Sequence, residues 1–231
     1  VIFKKFIIND PVTTRLAVAS LFFTGSVGIS LLLFIYRYLP DFYLGLSESM
    51  NPVSSLLGYV LQVGILEELI KSLPIFIVLK WFKKDISFLS LITIGVFSGL
   101  GFAAFENLHY GSRAINSAYT NTMEYGVEGL VSGVQNAMVN VMLRSLSLVF
   151  CHAVFSGIVA YFITTAYLRK EKMQALIVLG FIVAAVLHGV YDWLAGLQPT
   201  LAALVAGFSF ALFYGYLSKL KGSYKNLQIN T

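Results

Sequence analysis

The stretch "GILEELIKSL", residues 64–73, places Glu67, Glu68 and Lys71 inside a long apolar run. That run extends from about position 56 to 82, enough for a helix to cross a bilayer core of roughly 30 Å. One charge at mid-membrane costs about 2.5–3.5 kcal/mol on insertion scales, so charges kept there need partners, water or a metal. What these three do decides how the chain is read.

The rest of the sequence has the same apolar character. Of 231 residues, 58% are hydrophobic and 12% charged, with a mean hydropathy of +0.80, outside the range of ordinary soluble domains. Aromatic residues make up 15%, as suits rings against lipid and at headgroup belts. The net charge of +5 is spread over small clusters between apolar runs. It forms no basic face or stripe, which argues against nucleic-acid binding. Cys151 is the single cysteine, so an internal disulfide and a cysteine-rich metal knuckle are both excluded.

Six apolar runs of spanning length occur, at about 16–37, 56–82, 87–109, 144–168, 174–195 and 200–218. They are continuous rather than alternating, which selects helices over a β-barrel. The expected fold is all-α, a polytopic transmembrane helical bundle forming one domain over residues 1–231. The longest connection, 111–143, is expected to add a helix on the outer surface. The first run follows Lys4, Lys5 and Arg15 but has no small-residue cleavage pattern behind it, so it reads as a retained span. Lys4, Lys5 and Arg15, then Lys80, Lys83 and Lys84, then Arg169, Lys170 and Lys172, then Lys219, Lys221 and Lys225 fall on alternate connections. The positive-inside rule then gives a multi-pass protein of the cell membrane with both termini in the cytoplasm.

With that topology, the ionisable residues share one depth. Glu67 and Glu68 lie about eleven residues, or roughly 17 Å, from the outer end of the second span. Glu106 and Asn107 lie near the outer end of the third, His152 in the outer half of the fourth, and His188 and Asp192 in the outer half of the fifth. Carboxylates at a common depth cannot be left bare, which predicts one polar cavity between helices. Lys71 is spaced to pair with Glu67 (i,i+4) and Glu68 (i,i+3), and His188 with Asp192 (i,i+4). Arg144 lies on nearly the same face as His152. Gly95, Gly99 and Gly101 are expected to let the third span approach its neighbours closely.

Peptide hydrolysis inside a membrane needs a water, a base to activate it, an acid for the leaving amine and donors for the oxyanion. Glutamates and histidines supply these. At these residues the sequence resembles the PrsW family of intramembrane proteases, grouped with the CAAX-processing and ABI proteases. The motifs are E-E-x-x-K at Glu67–Lys71, F-x-x-x-E at Phe102–Glu106, an isolated His152, and H-x-x-x-D at His188–Asp192. They occur in the family's order, each in a separate expected span.

The resemblance implies an endopeptidase acting on a membrane-anchored protein such as an anti-sigma factor, on its extracytoplasmic side, in stress signalling. Glu67 would be the main water-activating base, Glu68 its assistant, and His188 and Asp192 would hold the oxyanion or the water. Glu106 stands where the wider CAAX pattern has a histidine. Glu106, His152, His188 and Asp192 form a plausible set for a divalent metal, so zinc activation of the water competes with a metal-free glutamate mechanism. In the absence of an H-E-x-x-H helix, the metal-free route is favoured here. Lys71, Asn107 and Arg144 are assigned supporting roles. A proton- or ion-coupled transporter is the alternative function, because the same residue types build proton relays.

Overall fold

The computed structural model describes residues 11–82 and 86–229. Lys4, Lys5, Lys83 and Lys84, used above for orientation, lie outside the described residues. The first helical column comprises α1 (Pro11–Phe23), a π-helical turn (Thr24–Gly28) and α2 (Ile29–Tyr38). Leu39 leaves helical geometry at φ −135° and ψ 53°, and Pro40 opens the short α3 (Pro40–Leu44). A proline suits a first helical position, where its missing N–H costs no bond.

The second column begins where Asn51 caps α4 (Pro52–Gly58), its Oδ1 accepting from the Val53 and Ser54 amides at 2.9 and 3.1 Å. A π-helical segment (Tyr59–Gly64) and α5 (Ile65–Trp81) continue it. Then α6 runs from Phe88 to Leu168, with Ser87 capping its start and Gly126 reversing it at φ 65°. A 3-10 turn (Lys170–Lys172) leads to α7 (Met173–Leu197), and α8 (Pro199–Ile229) follows.

Five helices are long and apolar enough to cross a membrane: Val12–Tyr38, Phe88–Leu108, Ser147–Leu168, Met173–Leu197 and Pro199–Leu220. They match five of the six expected runs. The remaining run is the Pro52–Trp81 column, which carries Glu67, Glu68, Lys71 and Lys80 and so differs in composition from the other five. It is nonetheless an interior element, with Ile70, Lys71, Ser72, Pro74 and Ile75 all buried.

The 111–143 connection departs from expectation. In place of a separate surface helix, α6 continues through it as an antiparallel hairpin. Gly133 lies against Ala118, so closely that an added Cβ would stand 2.8 Å from the Ala118 Cα. One left-handed residue, Gly126, is enough to fold the helix back on itself.

The core surrounds the returning arm of α6, where Phe155, Ile158, Val159 and Ile163 are buried. Glycines bring the neighbours in. A Cβ at Gly95 would meet that of Ala160 at 2.5 Å, and one at Gly99 would collide with the backbone of His152. Gly101 lies against the backbone of Leu21, so the third span's small residues do serve close approach. A second pair, Gly64 against Ala185 and Gly189 against Tyr59 and Val60, presses α7 onto the π-helical segment. That contact sets His188 beside the two glutamates.

Candidate active site

Glu67 and Glu68 stand in the first turn of α5, directly after the π-helical segment. A π turn inserts an extra residue and rotates the helix beyond it, a device frequent at functional sites. Consecutive residues on a helix point about 100° apart, yet both carboxylates reach Lys71. Its Nζ lies 3.2 Å from Glu67 Oε2 and 2.9 Å from Glu68 Oε1. The ammonium is held from two further sides, by His152 Nδ1 at 2.5 Å and by the Phe102 ring, 4.4 Å from its centroid. Ser98 donates to the Lys71 carbonyl at 2.6 Å and shares a hydrogen bond with Thr24, tying the first column to the site.

The histidines come from α6 and α7. His152 Nε2 faces Glu106 Oε2 at 3.0 Å, and His188 Nδ1 faces Glu68 Oε1 at 3.0 Å. The two rings meet edge to face with centroids 4.9 Å apart, and Phe155 stacks on His188. Ser156, one turn beyond His152, donates to Glu68 Oε2 at 3.3 Å. Asp192 Oδ2 lies 3.2 Å from His188 Nε2. Glu67, Glu68, Lys71, His152 and His188 are all buried, while Glu106 and Asp192 keep 13% and 20% exposure and form the site's open edge.

The sequence-predicted residues therefore converge, with two exceptions. Asn107 is half-buried in α6 and stands outside this group of contacts. Arg144 is in α6, but its side chain lies outside the described residues. Three contributors were missed. Ser98 and Ser156 could have been found from helical spacing, since Ser156 is one turn from His152. Tyr43, which donates to Glu67 Oε1 at 2.7 Å, gave no signal, being one of thirteen tyrosines and outside every apolar run.

The chemistry of the donors bears on a metal. Glu67, His152 and His188 each offer one ligand atom within 4.8 Å of the others. Glu67 Oε2 and His188 Nε2 are buried with no hydrogen-bond partner among the described residues, and they face each other at 3.6 Å. Around them stand the carboxylates of Glu67, Glu68, Glu106 and Asp192 with Lys71 as the ammonium among the described residues. Four carboxylates, two of them fully buried, against one ammonium call for further positive charge, as protons or a metal ion. The set fits a divalent cation. It differs from the four residues chosen from sequence: Glu67 joins the donors, while Glu106 lies against His152 Nε2 and Asp192 against His188 Nε2, the nitrogen that also faces Glu67.

Fold and site together define a multi-pass helical membrane protein with an acid–histidine centre buried between its helices. Comparison with known proteins narrows this. Residues 13–217 match the PrsW family intramembrane metalloprotease, and the chain belongs to that family. It is 30% identical over 122 residues to "Protease PrsW" of Geobacillus kaustophilus, covering 53% of this chain and 44% of that protein. It is 24% identical over 185 residues to "Protease PrsW" of Oceanobacillus iheyensis, covering 80% of this chain and 76% of that one. No solved structure matches the chain.

Proposed function

We propose that this chain is an intramembrane endopeptidase that hydrolyses a peptide bond in a membrane-anchored protein. The observation that carries the reading is the gathering of Glu67, Glu68, His152 and His188, from three separate helices, into one buried polar group. Family membership supports it. Of the two adjacent glutamates, Glu67 has the oxygen that no hydrogen bond occupies. Glu68 is engaged by Lys71, His188 and Ser156.

In the metal-free route Glu67 Oε2 is accordingly the group that takes the proton of the attacking water and returns it to the leaving amine. Lys71 balances the glutamate charge and holds both carboxylates in place. Glu106 and Asp192 orient the two imidazoles. Alternatively, a divalent ion such as zinc would be held by Glu67, His152 and His188, with Glu67 Oε2 then a ligand and not the base, and would lower the pKa of the water and polarise the scissile carbonyl. The family description favours this metal-assisted form over the metal-free route preferred from sequence.

In this reading residues 1–231 form one protease domain with both termini in the cytoplasm. Cleavage falls in the extracytoplasmic half of the bilayer, and the substrate is a single-span protein such as an anti-sigma factor. The test compares membrane proteins of cells expressing wild type or Glu67→Gln at matched levels, by mass spectrometry. Single-span proteins shortened on their outer side only with wild type are the expected result. Identical profiles under several stresses would sink the protease reading and turn attention to ion flux in vesicles.

A further inference from the structure

Tyr43 belongs to α3, the five-residue helix between the first and second columns, yet its side chain reaches the centre of the site. It is 9% exposed and belongs to one buried cluster with Ile29, Leu32, Val63, Ile70 and Phe102, its ring edge-on to Tyr36. Its hydroxyl donates to Glu67 Oε1 at 2.7 Å. The segment that carries it is anchored at both ends by one side chain. Gln62 Nε2 donates to the Asp41 carbonyl at 3.0 Å, and Gln62 Oε1 accepts from the Leu46 amide at 2.8 Å. Gln62 lies on the same helical column as Glu67, five residues before it, so one continuous element carries both the clamp and the carboxylate.

The consequence is an asymmetry in Glu67. Oε1 is committed to the phenol, and Oε2 is turned toward Lys71 and His188, where no hydrogen bond occupies it. Without the phenol the carboxylate could rotate about its last torsion, which is broad and roughly two-fold, and lose that orientation. The geometry points to Tyr43 as a positioning residue for the reaction proposed above, on which this inference rests: its hydroxyl selects Oε2 as the reactive oxygen of Glu67. Groups that hold a metal-ligating carboxylate in this way typically matter about 10–100-fold in metal affinity or activity.

The test uses the purified full chain in detergent, with cobalt(II) alone as the metal probe and the substrate found in the Glu67→Gln comparison. Tyr43→Phe keeps the ring and removes the donor. It is expected to lower kcat about 10-fold with KM within about twofold, and to weaken cobalt binding, read from the visible d–d spectrum, by about the same factor. A merely structural role would leave both the kcat-to-KM split and the spectrum of the folded protein unchanged, and that result overturns the inference. If Tyr43→Phe does not elute as a folded protein, Gln62→Met decides instead. It frees the segment while leaving the hydroxyl, and a loss of kcat and cobalt affinity in the same direction is required of it. The two ideas fail separately. If Glu67→Gln cleaves like wild type, the function proposed above falls; if it is inactive while Tyr43→Phe matches wild type, only the role of Tyr43 falls.

Discussion

The same helix, α6, passes through two opposite environments. On its returning arm His152, Phe155 and Ile158 are buried to 1% exposure or less, and the polar side chain among them has a partner on each ring nitrogen. In the hairpin around Gly126, Ile115, Met123 and Val127 are about 70% exposed. Backbone geometry is alike in both. What differs is what packs against it: other helical elements around His152, and, among the described residues, the hairpin's own second arm where Gly133 meets Ala118. A helix in this chain thus gains its function from its neighbours, and the comparison predicts strong effects of substitution at the centre and weak ones in the hairpin.

The strongest expected effect is at Glu67. Glu67→Gln keeps size and one oxygen but removes the carboxylate, as base or as metal ligand, and hydrolysis should fall about 10²–10⁴-fold, measured as initial rate on purified substrate. Retention of more than a tenth of the rate would break the contrast at its centre. Next is Lys71, whose ammonium lies between two buried carboxylates. Lys71→Met leaves them uncompensated, and breaking a buried pair in this way costs about 3–5 kcal/mol. The measurement is the free energy of unfolding in mixed detergent micelles. Smaller again is Asp192→Asn, at the open edge beside His188 Nε2. A loss of about tenfold in rate or in zinc affinity is expected, since the imidazole keeps Glu68 as its other partner.

Much of this centre was legible in the sequence because lipid makes charge conspicuous. Glu67, Glu68, Lys71, Glu106, His152, His188 and Asp192 stand out of apolar runs, and helical spacing pairs Lys71 with the glutamates before any coordinates are known. The spans were legible for the same reason. Tyr43 was not, because a tyrosine in a connecting segment is common: Pro40 announces a break at Leu39, but not where the chain beyond it goes. The division of labour among the carboxylates was hidden as well. Spacing shows that Glu106 and Asp192 lie at the right depth, but only three-dimensional packing sets each against an imidazole and turns Glu67 Oε2 toward His188. In the hairpin, sequence reasoning found helical character without the fold-back, since Gly126 is one of nineteen glycines and nothing in its neighbours' pattern marks it as the one with positive φ.

The smallest effect tests the other side of the comparison. Gly126 has φ 65° and ψ −143°, a region close to glycine's alone, where a side chain costs on the order of 1–3 kcal/mol. The space around it is open, so the cost of Gly126→Ala is conformational and not steric crowding by other parts of the chain. Since the hairpin packs on itself, that strain should be released locally, by opening the turn, before it reaches His152. The expected outcome is faster proteolytic nicking between the two arms, with an unchanged hydrolysis rate once the uncut protein is compared. If the rate falls together with the turn, the arms transmit their geometry to His152 and Glu106, and the hairpin is part of the machinery that holds the site.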